Sequence, residues 1–230
     1  MKSPRKMKVY CITQHLHDLP DHENWLTRQE AEVLAGFKFP RRCRDWLLGR
    51  WTAKAALGRF QPAAERPMTD WQVEADVDGA PMILKEGQRT EIPVSLSHRG
   101  NHALCTLAEM PMRLGCDLET VEIRSRSFEE TFFTASELAM LEQQPASDRA
   151  RLVTLIWSAK ESALKALHTG LKADTRRVIV RSCSSDSSAW NSLEVEDSLD
   201  GGVFHGWWRD FDGMVMTVLS DQAIDPPIEL

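Results

Sequence analysis

Two acids stand two residues apart in Gly115-Cys116-Asp117-Leu118-Glu119. On an extended strand, residues i and i+2 point to the same side. Asp117 and Glu119 therefore share a face, with Cys116 and Leu118 opposite. Neighbouring carboxylates repel, and a hard divalent cation offsets that repulsion, since magnesium takes carboxylate, water and phosphate oxygens. Taken alone, a solvated strand end accounts for the pair more simply. A third acid lies in Trp157-Ser158-Ala159-Lys160-Glu161-Ser162-Ala163-Leu164-Lys165. On a helix, Trp157, Glu161 and Lys165 fall on one side, roughly opposite an apolar stripe of Leu152, Leu155, Ile156, Ala159, Ala163 and Leu167. Glu161 ahead of Lys165 is also the favoured order of a plain surface ion pair. Trp157 is the unusual member. A large aromatic ring off the core stripe needs another surface, so this face is expected to pack. A further segment, Ser95-Leu96-Ser97-His98-Arg99-Gly100, puts His98 at the end of a strand before a turn. That turn removes the helical spacing by which His98 and His102 would share a metal. His98 reads as a donor to a phosphate or as an ordinary loop histidine.

The elements that must position these residues alternate in type. Lys8–Thr13 reads as a strand. His22–Phe37 reads as a helix marked by Trp25, Leu26, Val33 and Leu34. Pro40 opens a second helix, as proline suits a first turn, and it runs to about Phe60. Leu47, Leu48, Trp51, Ala55 and Leu57 give that helix a buried stripe, while Arg41, Arg42, Arg44, Arg50 and Lys54 crowd its other faces. Trp71–Val77 and Pro81–Leu84 read as short strands, Val94–Ser97 and His102–Leu107 as a hairpin, and Arg113–Leu118 as another strand. A turn of helix at Phe128–Phe133 follows, then a helix capped by Ser136 and the long helix Ser147–His168, ended by Gly170. Val178–Ser182, Leu193–Val195, Val203–Trp208 and Met214–Leu219 complete a strand-rich end, with a serine-rich loop at Ser182–Ser188. The order strand, helices, strands occurs twice without a matching sequence repeat. It points to an α+β fold of two similar halves, 1–110 and 111–222, followed by a loose tail over 223–230.

Composition narrows the classes. The chain has 230 residues, 42% hydrophobic and 27% charged, which suits a soluble protein large enough to bury a core without staples. Five irregularly spaced cysteines with no C-x-x-C argue against a disulfide framework and a zinc site, and suit a reducing cytoplasm. No apolar stretch of signal-peptide length follows the basic first residues, and no run approaches a membrane span. A cytoplasmic location without a membrane partner is expected. A net charge of −6 argues against a nucleic-acid binder. Residues 1–60 nevertheless hold 12 Lys+Arg against 6 Asp+Glu, which marks either a local anion site or ordinary scatter. The absence of a Gly-Lys dipeptide excludes a P-loop, and G-x-G-x-x-G, H-E-x-x-H and G-x-S-x-G are missing too.

Taken in order, these segments resemble the surfactin-type 4'-phosphopantetheinyl transferases. The matching stretches are Leu47-Leu48-Gly49-Arg50 in the basic helix, Gly79-Ala80-Pro81, Ser97-His98, Gly115 to Glu119, Phe132-Phe133-Thr134, and Trp157 to Ser162 with Lys165. The G-x-D-x-E and W-x-x-K-E-x-x-x-K motifs, about 40 residues apart, are a specific pair. The resemblance implies a pseudo-dimer of two α+β halves with coenzyme A, the substrate, in the cleft between them. It implies transfer of the phosphopantetheine arm to a serine of an apo acyl or peptidyl carrier protein, leaving 3',5'-ADP. Asp117, Glu119 and Glu161 would hold Mg2+ against the pyrophosphate. Glu161 would also be the general base, unless a water is, and Lys165 would contact the transferred phosphate or its neighbour. His98 would bind near the 3'-phosphate with Arg50, or with Arg44 as second choice, and Gly79, Pro81 and Ser97 would complete the coenzyme A site. Ala80 stands where the family's turn often has lysine, and Asp45 where some relatives have arginine. Arg124 and Arg126, near Ile123 and Phe128, form a carrier-docking surface or an exposed loop. A working monomer is expected. The alternative reading is a non-catalytic relative that binds coenzyme A or a carrier.

Overall fold

Apolar residues alternate at the start of Val9–His15, the first strand β1. The structure is a computed structural model, which describes residues 6–61, 67–184 and 189–230. Residues 185–188 of the serine-rich loop lie outside the described residues. After β1, Thr27 and Glu30 cap each other's backbone, so helix α1 spans Arg28–Ala35 rather than starting at His22. Trp25 and Leu26 are buried ahead of it, and Val33, expected on the buried side, is exposed. Pro40 opens α2, Pro40–Phe60, as expected. Strands β2 (Trp71–Ala75), β3 (Pro81–Lys85) and β4 (Gln88–Arg89) form a small sheet. The expected hairpin is β5 (Val94–Arg99) and β6 (His102–Ala108), and β6 also pairs with β1. Helix α2 lies on this sheet, packing Ala53, Ala56 and Leu57 against Ile12, Cys105 and Leu107.

A second run of helices and strands follows. β7 (Leu114–Thr120) leads to three helices: α3 (Arg126–Phe132), α4 (Ala135–Glu142) and α5 (Ala146–Ala166). Thr134, not Ser136, caps α4, again reciprocally with the glutamate three residues on. Strands β8 (Val178–Cys183), β9 (Asn191–Asp197), β10 (Val203–Phe211) and β11 (Met214–Ser220) follow, in a sheet of order β7-β11-β10-β9-β8. Helix α5 is buried on most of its surface, not only along the expected stripe: Ser158, Lys160 and Ser162 are all enclosed. The tail is not loose. β12 (Ile228–Glu229) pairs in parallel with β1, and Ile224 is buried. The molecule is thus α+β, with mostly antiparallel sheets and helices packed on them.

A sequence repeat is present after all. Glu30 accepts hydrogen bonds from Thr27 N and Val73 N and pairs with Lys54 at 2.5 Å. Glu137 accepts from Thr134 N and Val180 N and pairs with Lys160 at 2.9 Å. All four charged side chains are buried. Such pairs persist when their remaining polar atoms find partners; the two glutamates use corresponding backbone groups, while Lys54 donates to Trp25 O and Lys160 to Thr175 O and Val178 O. The lysines belong to Trp51-Thr52-Ala53-Lys54 and Trp157-Ser158-Ala159-Lys160, so the two long helices carry one motif.

The halves meet where β5 faces β7. The outer edge of β7 has no ladder partner there, and unpaired strand N–H groups need acceptors. Cys116 N donates to Ser95 Oγ (3.0 Å) and Leu118 N to Ser97 Oγ (3.3 Å). Two serines two apart thus serve two N–H groups two apart.

Candidate active site

β7 turns Asp117 and Glu119 to one side and Cys116 and Leu118 into the core, as the alternation demands, and all four are buried. Helix α5 crosses β7 closely because residue 115 is glycine. A Cβ there would lie 1.8 Å from Ser162 O and 2.9 Å from Ala166 N. Ser158 and Ser162 fix the helix in rotation through Thr217 Oγ1 on β11, at 2.9 and 2.7 Å. The result brings Glu161 to the strand acids: carboxylate oxygens of Asp117, Glu119 and Glu161 lie within 4.8 Å of one another.

The partners of each acid differ. Asp117 Oδ1 accepts from Ser97 Oγ (2.8 Å) and Lys165 Nζ (2.7 Å), while the buried Oδ2 has no partner. Lys165 therefore serves the strand acid; it is not the surface partner of Glu161. Glu119 Oε2 is gripped from both halves, by Arg124 at 3.1 Å and by Arg99 at 3.3 Å. Burial, then Asp117, push Glu161 up to about 7, with Lys165 opposing. Burial and Asp117 also raise Glu119, against Arg99 and Arg124. Burial alone would pull the Lys165 ammonium down, but Asp117, Cys116 and Glu161 outweigh it and raise its value. Three repelling hard-oxygen donors, one with an orphaned buried oxygen, fit a hard divalent cation such as magnesium.

Trp157 finds the surface expected of it. It is buried edge-on against Phe128 and Phe132 of α3, both at 5.1 Å between ring centroids. Arg124 stacks over Phe128 at 4.6 Å and is largely buried. It faces inward and cannot form an open docking rim. Arg126 pairs with Glu130 and Glu142, and Ile123 alone of that group stands fully out. The part Arg99 and Arg124 play at Glu119 was not read from the sequence. The one available signal was the placement of Arg124 five residues after a paired acid.

The remaining site residues fall into two cavities. One, of about 580 Å³, is lined by Arg41, Arg42, Asp45, Trp46, Arg50 and His98 among others, and Ser97 also borders it. Arg50 lies 4.2 Å over the Trp46 ring, and burial lowers it to about 10, still charged at neutral pH. Arg44 is exposed and is not among the lining residues. The other cavity, of about 190 Å³, brings Gly79, Ala80 and Pro81 to Lys165 and His168. Gly79 has φ +91°, which favours glycine at this turn. His168 Nδ1 lies 3.0 Å from Asp78 Oδ2 at this cavity, joining the β2–β3 turn to the end of α5. His168 was not singled out in the sequence.

An α+β fold with three clustered carboxylates beside the joint of its halves places the chain among proteins equipped to hold a hard cation. The family model of the 4'-phosphopantetheinyl transferase superfamily matches residues 113–216, which carry all three acids. A holo-[acyl-carrier-protein] synthase of Streptococcus agalactiae serotype III is 36% identical over 83 residues, 35% of this chain and 70% of that protein. One of Streptococcus pyogenes serotype M1 is 32% identical over 79 residues, 34% of this chain and 66% of that protein. The chain belongs to the 4'-phosphopantetheinyl transferase superfamily.

Proposed function

We propose that this chain moves the 4'-phosphopantetheine arm of coenzyme A to a serine of an apo acyl or peptidyl carrier protein, with magnesium at Asp117, Glu119 and Glu161. The observation that carries the reading is the convergence of those carboxylates with Lys165 at the meeting of the two halves. The bond formed joins the serine oxygen to the phosphorus bearing pantetheine. The bond broken releases 3',5'-ADP, and the serine proton goes to a base. Glu161, deprotonated when the cation is bound, is the favoured carboxylate to accept it. Lys165 offers a point charge to the phosphate without fixing its orientation. Bound magnesium would neutralise pyrophosphate oxygens and align the displacement. Arg50 and His98 would receive the nucleotide end, and the cavity at Gly79 and Pro81, which reaches Lys165, the portion nearer the reacting phosphate. Ser97 acts through Asp117, whose oxygen it holds.

The doubled plan supports a surfactin-type, pseudo-dimeric reading. The repeated Glu–Lys constellation appears once per half, and the streptococcal relatives are about half this chain's length, as the covered shares of 35% and 70% require. One chain then supplies both walls of the cleft, so the working unit is a monomer in the cytoplasm. In the described residues no helix is long and apolar enough to cross a membrane.

The test is the mass of several apo-carriers after incubation with coenzyme A and magnesium. A gain of one phosphopantetheine is expected on at least one. Glu161→Gln is expected to slow it by about 100-fold or more while the protein stays folded. No gain on any carrier, or full turnover in that variant, would overturn the reading.

A further inference from the structure

The cavity assigned to the nucleotide end holds one acid among its basic side chains, and the transfer chemistry has no use for it. Asp45 sits on α2 with its side chain 23% exposed. Its Oδ2 lies 3.8 Å from Arg41 Nε, one turn earlier, and 3.9 Å from His98 Nε2, across on β5. Two of the four basic side chains in this wall, Arg41 and His98, therefore already face a carboxylate. The other two are held by rings: Arg42 lies 4.9 Å over Phe37 and Arg50 4.2 Å over Trp46. Arg50 keeps a buried Nε without a partner. A phosphate docking at His98 would approach the Asp45 charge closely and be repelled by it. A phosphate docking at Arg50 has a guanidinium free of any ion pair to Asp45.

We propose that Asp45 is a specificity-determining residue that cancels most of the attraction for the 3'-phosphate. This chain then takes coenzyme A and 3'-dephospho-coenzyme A with little discrimination. The adenosine and pyrophosphate common to both are read by Phe39, Trp46 and Arg50 of the lining. The proposal rests on the nucleotide end of coenzyme A occupying this cavity.

Calorimetric dissociation constants for the two nucleotides, measured with magnesium on wild type and Asp45→Asn, test it. The substitution keeps shape and removes charge, and Asp45→Ser replaces it should the asparagine variant fail to fold. The preference for coenzyme A over its dephospho form is expected to rise at least about threefold, through tighter binding of coenzyme A alone. In carrier modification the same change is expected in KM, with kcat unmoved. A smaller rise overturns the proposal. A fall does so as well, and assigns Asp45 to orienting His98 towards the phosphate. Folded wild type that binds neither nucleotide and modifies no carrier overturns the functional reading itself. Transfer that proceeds with an unchanged preference overturns only the role of Asp45.

Discussion

A carboxyl group enclosed with two others holds its proton more tightly than one in water. Burial and Asp117 bring Glu161 to about 7, whereas an unfolded glutamate titrates near ~4.3. Between those values the folded state binds more protons than the unfolded, so stability falls as pH rises. A cation among the three oxygens removes that loss, because it binds the deprotonated form. In protein stripped of divalent ions, stability from this group is expected to drop by roughly 1–3 kcal/mol between about pH 5 and about pH 8. Added magnesium should raise the melting temperature more at the higher pH, and Glu161→Gln should flatten most of the slope. An equal magnesium effect at both ends would remove Glu161 from the ligand set. Arg124 and Arg99 belong to the same account. By gripping Glu119 they hold a proposed ligand in place and lower the cost of its charge.

Elements bring these side chains together, and Gly115 shows how narrowly. Its missing Cβ is what lets α5 lie against β7, and the atoms in the way are backbone, which cannot swing aside. Gly115→Ala is expected to push α5 off the strand, cost about 3 kcal/mol and weaken magnesium binding, read by calorimetry. Unchanged magnesium affinity in that variant would show that the helix position does not set the site. The motif acids, the β5–β6 hairpin and the start of α2 were legible in the sequence, because each follows from spacing along one element. The reason for Gly115 was not, since a close approach belongs to two elements at once. The burial of α5 was underread for a related cause. Ser158, Lys160 and Ser162 look like a solvent face until Thr217, Glu137 and the carbonyls of Thr175 and Val178 are placed opposite them. The repeat was overlooked because it survives at scattered positions, Thr27 and Glu30 against Thr134 and Glu137, Lys54 against Lys160. There a buried charge fixes the residue type while the surrounding sequence has diverged.

At the scale of the molecule, the two halves share one body of core. Val9, Leu104 and Ala108 from the first sheet pack with Leu114, Leu118, Met216 and Val218 from the second, and Ile224 closes the cluster. The closing segment then returns from the second sheet to the first. Trp207 Nε1 donates to Ile224 O, Leu230 N to Cys11 O and Arg59 to Leu230 O, while Arg209 pairs with Glu229. Pro226 and Pro227 read as looseness because the partner strand, β1, lies at the other end of the chain, beyond any local pattern. A core that crosses the joint cannot be dismantled one half at a time, so unfolding is expected as a single calorimetric transition. Removing residues 224–230 opens the edge of β1 and empties the place of Ile224. The cost is about 2–4 kcal/mol, or roughly 5–15 °C in melting temperature for a chain of this size, still in one transition. The acids on β7 meet β5 across this same joint, so the truncated protein should also bind magnesium more weakly. Two resolved transitions, or a truncation without effect on either quantity, would mean that polar contacts at the joint, and not a shared core, hold the halves together.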